Sequence, residues 1–216
     1  MKWSFSSLKQ YINCPRQYHE IKVLKNYEVK TTHQMAYGTD VHEALENYAK
    51  TGAALPNNYQ RFAALVDPLL EIDGERFIEY KMALTADKQV CSFNDKDYWV
   101  RGIVDLMIIS DDTAFIVDYK TGSDKYPDMK QLKLMALMTF AHFPEVQHVK
   151  AGLLFVLHNN FMSDEYHRDD IDKLWSAFTP DLERLKMSHE INQWQANPTP
   201  LCGWCPVKVC EFYRER

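Results

Sequence analysis

Apolar positions along the chain switch period several times, and each switch marks an element. In "SFSSLKQYINCP", Leu8, Tyr11 and Ile12 form a helical stripe, Ser6 or Ser7 offers a cap, and Pro15 predicts a stop. "GTDVHEALENYAK" repeats the period with Val41, Leu45, Tyr48 and Ala49. "NNYQRFAALVDPLLEIDGERF" predicts helix in two pieces around Pro68. From about Phe77 the spacing becomes that of strands, in "FIEYKMAL", "YWVRGIVDLMII" and "AFIVDYK". Pro127 suits the first turn of a helix through "PDMKQLKLMALMTFAHF", and "VKAGLLFVLH" reads as a strand buried on both faces. Two helical segments divided at Pro180 follow, then an irregular, cysteine-rich tail from Asn197.

This order predicts an α/β fold with a mixed sheet flanked by helices. The short polar turn at Asp111-Asp112 makes the second and third strands antiparallel neighbours. The segment from Ala114 through the 127–143 helix to the 149–158 strand is expected to be a right-handed βαβ crossover. With the turn centred on Asp111-Asp112, Asp105 falls opposite Asp118, and Lys120 shares the face of Asp118. Two carboxylates opposed in a sheet repel, and the apolar stretches "GIV", "LMII" and "FIV" around them make unpaired charge costly. A divalent cation compensates such a pair, since Mg²⁺ takes one or two carboxylates and fills its other positions with water.

Composition narrows the class without choosing it. At 216 residues, 46% apolar and 25% charged, the chain is expected to be one globular domain. No run is long enough to span a bilayer, and "MKWSFSSLKQYINCP" lacks a signal-peptide core. A cytoplasmic, reducing setting is therefore expected, in which the five cysteines are not disulfide staples. A net charge of −5 argues weakly against a nucleic-acid partner, but metal-binding carboxylates inflate that figure. Local basic stretches are present at Arg16, Lys22, Lys25 and Lys30, and again at Lys125, Lys130 and Lys133.

"GIVDLM" followed by "IVDYKTG" resembles the PD-(D/E)XK nuclease superfamily, and in detail its RecB-like branch. "GTDVH" is similar to the family's histidine-bearing helix motif, Glu79 in "FIEYK" to a first-strand glutamate, and Gln131 in "QLKLMAL" to a glutamine on the next helix. Met135 stands where the family often has a tyrosine, so that tyrosine's substrate contact does not carry over. The resemblance implies a restriction-endonuclease-like αβββαβ core over about 38–158. It also implies a metal held by His42, Asp105, Asp118 and the Tyr119 carbonyl, with Lys120 and Gln131 completing the catalytic set. Mg²⁺ or Mn²⁺ is the implied ion, the imidazole favouring Mn²⁺. Glu79 is left as either a ligand or a structural carboxylate.

Cys202, Cys205 and Cys210 form C-x2-C-x4-C, and Cys14 offers a fourth thiol from the other end. Thiolates so spaced suit tetrahedral zinc or an iron–sulfur cluster. "SFSSLKQYINCP" resembles the N-terminal motif of AddB and of CRISPR-associated RecB-like exonucleases. That likeness implies a [4Fe–4S] cluster joining 1–30 to 195–216, although the last spacing is one residue shorter than usual and leaves Zn²⁺ as the alternative. Cys91 belongs to no pattern. The expected function is a metal-dependent deoxyribonuclease acting on single-stranded DNA ends, with DNA and a helicase or recombination protein as partners. No P-loop is present, so any ATP-driven unwinding comes from elsewhere. The competing readings are a non-catalytic DNA-binding or assembly subunit that keeps the fold, and an iron–sulfur electron carrier.

Overall fold

The computed structural model describes residues 1–215, which form two compact units, one of Thr32–Trp175 and one of Met1–Thr31 with the described residues from Ser176 onward. The larger unit is built on one sheet of five strands in the order β1-β2-β3-β4-β5. These strands are β1 (Glu75–Leu84), β2 (Val100–Ser110), β3 (Thr113–Lys120), β4 (His148–Phe155) and β5 (Asn160–His167). The β2–β3 pair is antiparallel and β3–β4 is parallel. The α/β expectation and the mixed sheet are therefore met.

Strand alternation sorts the core into two layers. Leu106, Ile108, Val117 and Tyr119 pack with Val41, Leu45, Phe62 and Val66 from the helices on one face. Those residues belong to α3 (His33–Thr51), the Gln60–Phe62 turn and α4 (Ala63–Leu70). Their strand neighbours point the other way, toward α5 (Lys130–His142), where Thr139 Oγ1 reaches Met107 Sδ at 3.6 Å. Asp118 belongs to this second face. Its burial there decides much of its chemistry.

Several boundaries differ from the sequence reading. The cap of α1 (Phe5–Asn13) is Ser4 rather than Ser6 or Ser7, with Ser7 as its reciprocal capping-box partner. Pro15 does not end the helical path; it opens α2 (Pro15–Tyr18), where its missing N–H costs nothing. Helix α3 begins earlier than Gly38, because Thr32 caps it by accepting from the Met35 N–H. Pro68 lies inside α4 and does not divide it; the break falls at the Phe62–Ala63 junction with the preceding 3₁₀ turn. Helix α5 starts at Lys130 instead of in the turn holding Pro127. Pro180 sits in the first turn of α7 (Thr179–Ile191) and not at the division from α6 (Ile171–Ser176).

The strand missing from the sequence reading is β5. "NFMSDEYH" has no apolar face, and of its residues only Tyr166 is buried. Pairing with β4 makes it a strand. Phe161 lies over Gly152 so closely that a Cβ there would meet the ring at 2.3 Å. Strand β4 accordingly ends at Phe155, and residues 156–159 form the turn into β5.

The smaller unit holds α1, α2, a π-type turn (His19–Val23), α7 and a short 3₁₀ helix (Pro200–Trp204). Its two chain segments are tied by Tyr11 Oη with Ser188 Oγ (2.8 Å), by the Arg16 N–H to the Gln195 carbonyl (3.2 Å), and by Asn197 Nδ2 to the Asn13 carbonyl (3.0 Å). Among the described residues no helix is long and apolar enough to cross a membrane.

Candidate active site

The β2–β3 ladder runs in the expected register from Ser110↔Thr113 to Leu106↔Val117 and then stops. The next position would set Asp105 against Asp118. Instead, Asp105 Oδ2 accepts the Tyr119 N–H at 2.7 Å. The side chain thus takes the hydrogen bond that a strand carbonyl would have received, and its carboxylate lies between the two strands rather than on one face.

From that position Asp105 meets groups of the other layer. His42 Nδ1 lies 3.4 Å from Asp105 Oδ2. Ligand atoms of His42, Glu79 and Asp105 all fall within 4.8 Å of one another, and among the described residues this is the one such grouping of three. Glu79 is placed by register, since Ile78↔Leu106 and Tyr80↔Val104 bracket a Glu79–Asp105 position absent from the ladder. Its φ of 52° is a left-handed value inside a strand, a strained choice for a non-glycine residue. Burial first, then the charges of Asp105 and Glu46, raise the Glu79 carboxyl above its usual range. Burial alone would lower His42, but the hydrogen bond and charge of Asp105 and the charge of Asp118 outweigh it and raise it.

Helix α3 can bring His42 this close because Gly38, one turn earlier, has no side chain. A Cβ there would stand 3.0 Å from Thr121 Oγ1, just past the end of β3. The "GTDVH" motif thus has a steric content as well as a ligand.

A second group lies on the α5 face. Lys120 Nζ is 2.5 Å from Asp118 Oδ2, and Gln131 clamps both: its Oε1 accepts from Lys120 at 2.9 Å and its Nε2 donates to Asp118 Oδ1 at 2.6 Å. The amide can point only one way, carbonyl to ammonium and NH₂ to carboxylate. Asp118 is 5% exposed. Burial pushes its carboxyl up to about 6, with Asp105 adding to the rise and Lys120 and His42 opposing it. Asp118 Oδ2 is thus held by the Lys120 ammonium and Oδ1 by the Gln131 amide.

Every residue predicted for the hydrolytic site is therefore near the β2–β3 fork, but in two sets. His42 and Asp105 are joined by Glu79, which sequence reasoning had left undecided. Asp118 stands with Lys120 and Gln131, outside the grouping of three. The long 85–99 connection between β1 and β2 hid the Glu79–Asp105 apposition, since register cannot be read across a loop of that length. Tyr119 contributes its N–H to Asp105, while its ring packs in the core with the hydroxyl buried and unpartnered.

These atoms suit a hard divalent ion. Two carboxylates and an imidazole converge, and burial together with the charges of Asp105 and Glu46 pushes the Glu79 carboxyl up. An open groove is lined among others by Gly38, His42, Glu79, Asp105 and Thr121, so that the grouping of three faces it.

In the smaller unit, Cys14, Cys202, Cys205 and Cys210 line one pocket of about 320 Å³ of empty space. Three of the sulfurs accept N–H donors: Cys205 from Gln17 Nε2 (3.3 Å), Cys202 from the Thr199 N–H (3.3 Å) and Cys14 from the Asn197 N–H (3.5 Å). No three of these cysteine sulfurs lie within 4.8 Å of one another. All five cysteines are free thiols.

Fold and site define a class: an acidic, lysine-bearing centre at the fork of a mixed sheet, suited to a divalent ion. The chain belongs to the PD-(D/E)XK nuclease superfamily, whose family model matches two overlapping segments, residues 2–77 and 61–210. The family implies a metal-dependent nuclease. Among solved structures, SSO0001 is similar over 99% of this chain and 87% of its own, at 14% identity and a TM-score of 0.52. A protein of Eubacterium rectale provisionally named an exonuclease is similar over 97% and 86%, at 10% identity and a TM-score of 0.52. At such identities the likeness speaks for the fold. No curated protein sequence matches.

Proposed function

We propose that the protein is a deoxyribonuclease of the RecB-like branch that removes nucleotides from single-stranded DNA ends, using Mg²⁺ or Mn²⁺. The observation that carries this reading is the Asp118–Lys120–Gln131 clamp beside the His42–Glu79–Asp105 grouping. His42, Asp105 and Asp118, with the Tyr119 carbonyl and Glu79, are the residues that would hold the ion. When bound, a divalent ion supplies Lewis-acid polarisation of the phosphodiester and a more acidic water.

The chain's own residues do the remaining work. Lys120 carries fixed positive charge to where the attacked phosphate gathers negative charge. Gln131 holds that ammonium in place through its carbonyl and keeps Asp118 from rotating through its NH₂. Asp105, anchored by the Tyr119 N–H, orients the His42 ring.

End-labelled single- and double-stranded DNA, incubated with Mg²⁺ or Mn²⁺, tests this. The parent degrades the single strand from an end, and Lys120→Ala loses about two orders of magnitude in rate or more while folding normally. Equal rates for parent and variant overturn the assignment. Binding without cleavage by the parent under both ions favours a non-catalytic assembly subunit.

For the cysteine pocket we infer a [4Fe–4S] cluster joining 1–30 to 195–216. Support comes from four thiols around one cavity and N–H donors on three of them. Anaerobically purified protein is then brown, with visible absorbance that Cys205→Ala loses. Colourless protein carrying zinc overturns it.

A further inference from the structure

The groove presents a difficulty for any polyanion. Its lining carries four carboxylates, Glu43, Glu46, Glu79 and Asp105, and among the described residues that line it there is no lysine or arginine. Its basic side chains are two histidines. His42 is committed to Asp105, and Lys120 nearby is held by Asp118 and Gln131. His158 alone among the lining histidines is outside the candidate ligand set.

His158 is also built into place. It lies in the β4–β5 turn, where its N–H donates to the Phe155 carbonyl at 3.0 Å, and the Val156 N–H ties the same turn to the Lys120 carbonyl at 3.0 Å. The imidazole Nδ1 stands 4.0 Å from Asp124 Oδ1, at ion-pair rather than hydrogen-bond distance. Asp124 comes from the loop after β3, and Asn160 Nδ2 fixes its other oxygen at 2.8 Å. Asp124 thus joins the two segments that form this wall of the groove and faces the Nδ1 side of the ring. Nε2 is the ring's other hydrogen-bonding atom. In the protonated ring both nitrogens carry N–H, so that Nδ1–H faces the Asp124 carboxylate and Nε2–H is left to donate to a phosphate oxygen.

We propose that His158 contacts the DNA backbone, its Nε2–H donating to one phosphate of the bound strand, with Asp124 as the residue that orients it. The inference rests on the nuclease reading for the identity of the ligand. It adds a binding residue that lies outside the hydrolytic set and outside the sequence motifs that suggested it.

The experiment uses a fluorescein-labelled single-stranded oligonucleotide and the full chain in a Lys120→Ala background with Mn²⁺, so that the strand stays intact. Binding is read by fluorescence anisotropy across a salt series. His158→Ala weakens affinity about tenfold, the scale of one hydrogen bond to a charged group. It also lowers the steepness of the salt dependence by about one phosphate contact. His158→Lys restores both, which a purely structural role for the turn does not predict. Asp124→Asn gives a smaller loss, and His167→Ala, an exposed histidine at the far end of β5, gives none. Unaltered affinity and salt slope in His158→Ala overturn the proposal, as does His158→Lys binding no better than His158→Ala. The two readings separate cleanly. A Lys120-intact protein that never cuts DNA but shows these binding effects loses the hydrolytic assignment and keeps the His158 contact. A protein that cuts but binds equally without His158 loses only the contact, and absence of any DNA binding removes both.

Discussion

Replacing Asp118 by Asn in the metal-free protein should stabilise the fold, and more so as pH rises. Asp118 is buried, and its carboxyl is raised from 3.8 to about 6 in the folded chain. That rise is a preference of about 3 kcal/mol for the protonated form. The folded state therefore binds the proton more tightly than the unfolded state, so this residue's contribution falls as pH climbs from 3.8 to about 6 and is flat above. About half of the penalty is present at about pH 5 and nearly all of it at about pH 7.5. Asn carries no charge and keeps an oxygen for the Gln131 NH₂. Urea unfolding of both proteins in EDTA should show the variant's advantage growing by about 1–2 kcal/mol between those two pH values. Saturating Mn²⁺ should reverse the order at the higher pH, because the ion stabilises the parent's carboxylate by binding the folded state. A gap that does not change with pH, or an Asn variant less stable than the parent at both, refutes the argument that Asp118 is held at a cost for the sake of the ion.

Other consequences are open to direct measurement. Gly38→Ala should leave stability unchanged or slightly higher, since alanine favours helix by up to about 1 kcal/mol, yet slow cleavage by displacing His42 from Asp105. Adding Thr121→Ala should restore the rate by removing the atom that the new Cβ meets at 3.0 Å. Arg168→Met should destabilise by about 2–4 kcal/mol in chemical denaturation. Its guanidinium donates to the Val146, Phe140 and Phe143 carbonyls at 2.7, 2.9 and 2.8 Å, and methionine would leave all three without that donor. Cys205→Ala should lower the thermal midpoint markedly if a metal centre joins the two ends, and an unchanged midpoint counts against one.

The hairpin at Asp111-Asp112 shows how far a sequence can reach. A short turn fixes register by counting, and the ladder from Ser110↔Thr113 to Leu106↔Val117 follows. The count could not show that the ladder opens one step later, because that depends on the competition of the Asp105 carboxylate for the Tyr119 N–H. Glu79 was ambiguous for a related reason: the 85–99 connection is too long to transmit register. The neglected β5 had no apolar alternation to announce it. Its pairing is decided by the free edge of β4, a property of the assembled sheet.

What the sequence determined alone is the set of elements with strong periodicity, the mixed sheet, and the identity of the residues around the fork. Such information is local: side-chain period and short turns act within a few residues. What only the tertiary structure decided is the grouping of those residues, with Glu79 joining His42 and Asp105, Gln131 clamping Asp118 to Lys120, and His158 set in the groove wall by the turn after β4. These depend on distances between elements far apart in the chain, which packing and burial set and no local pattern encodes.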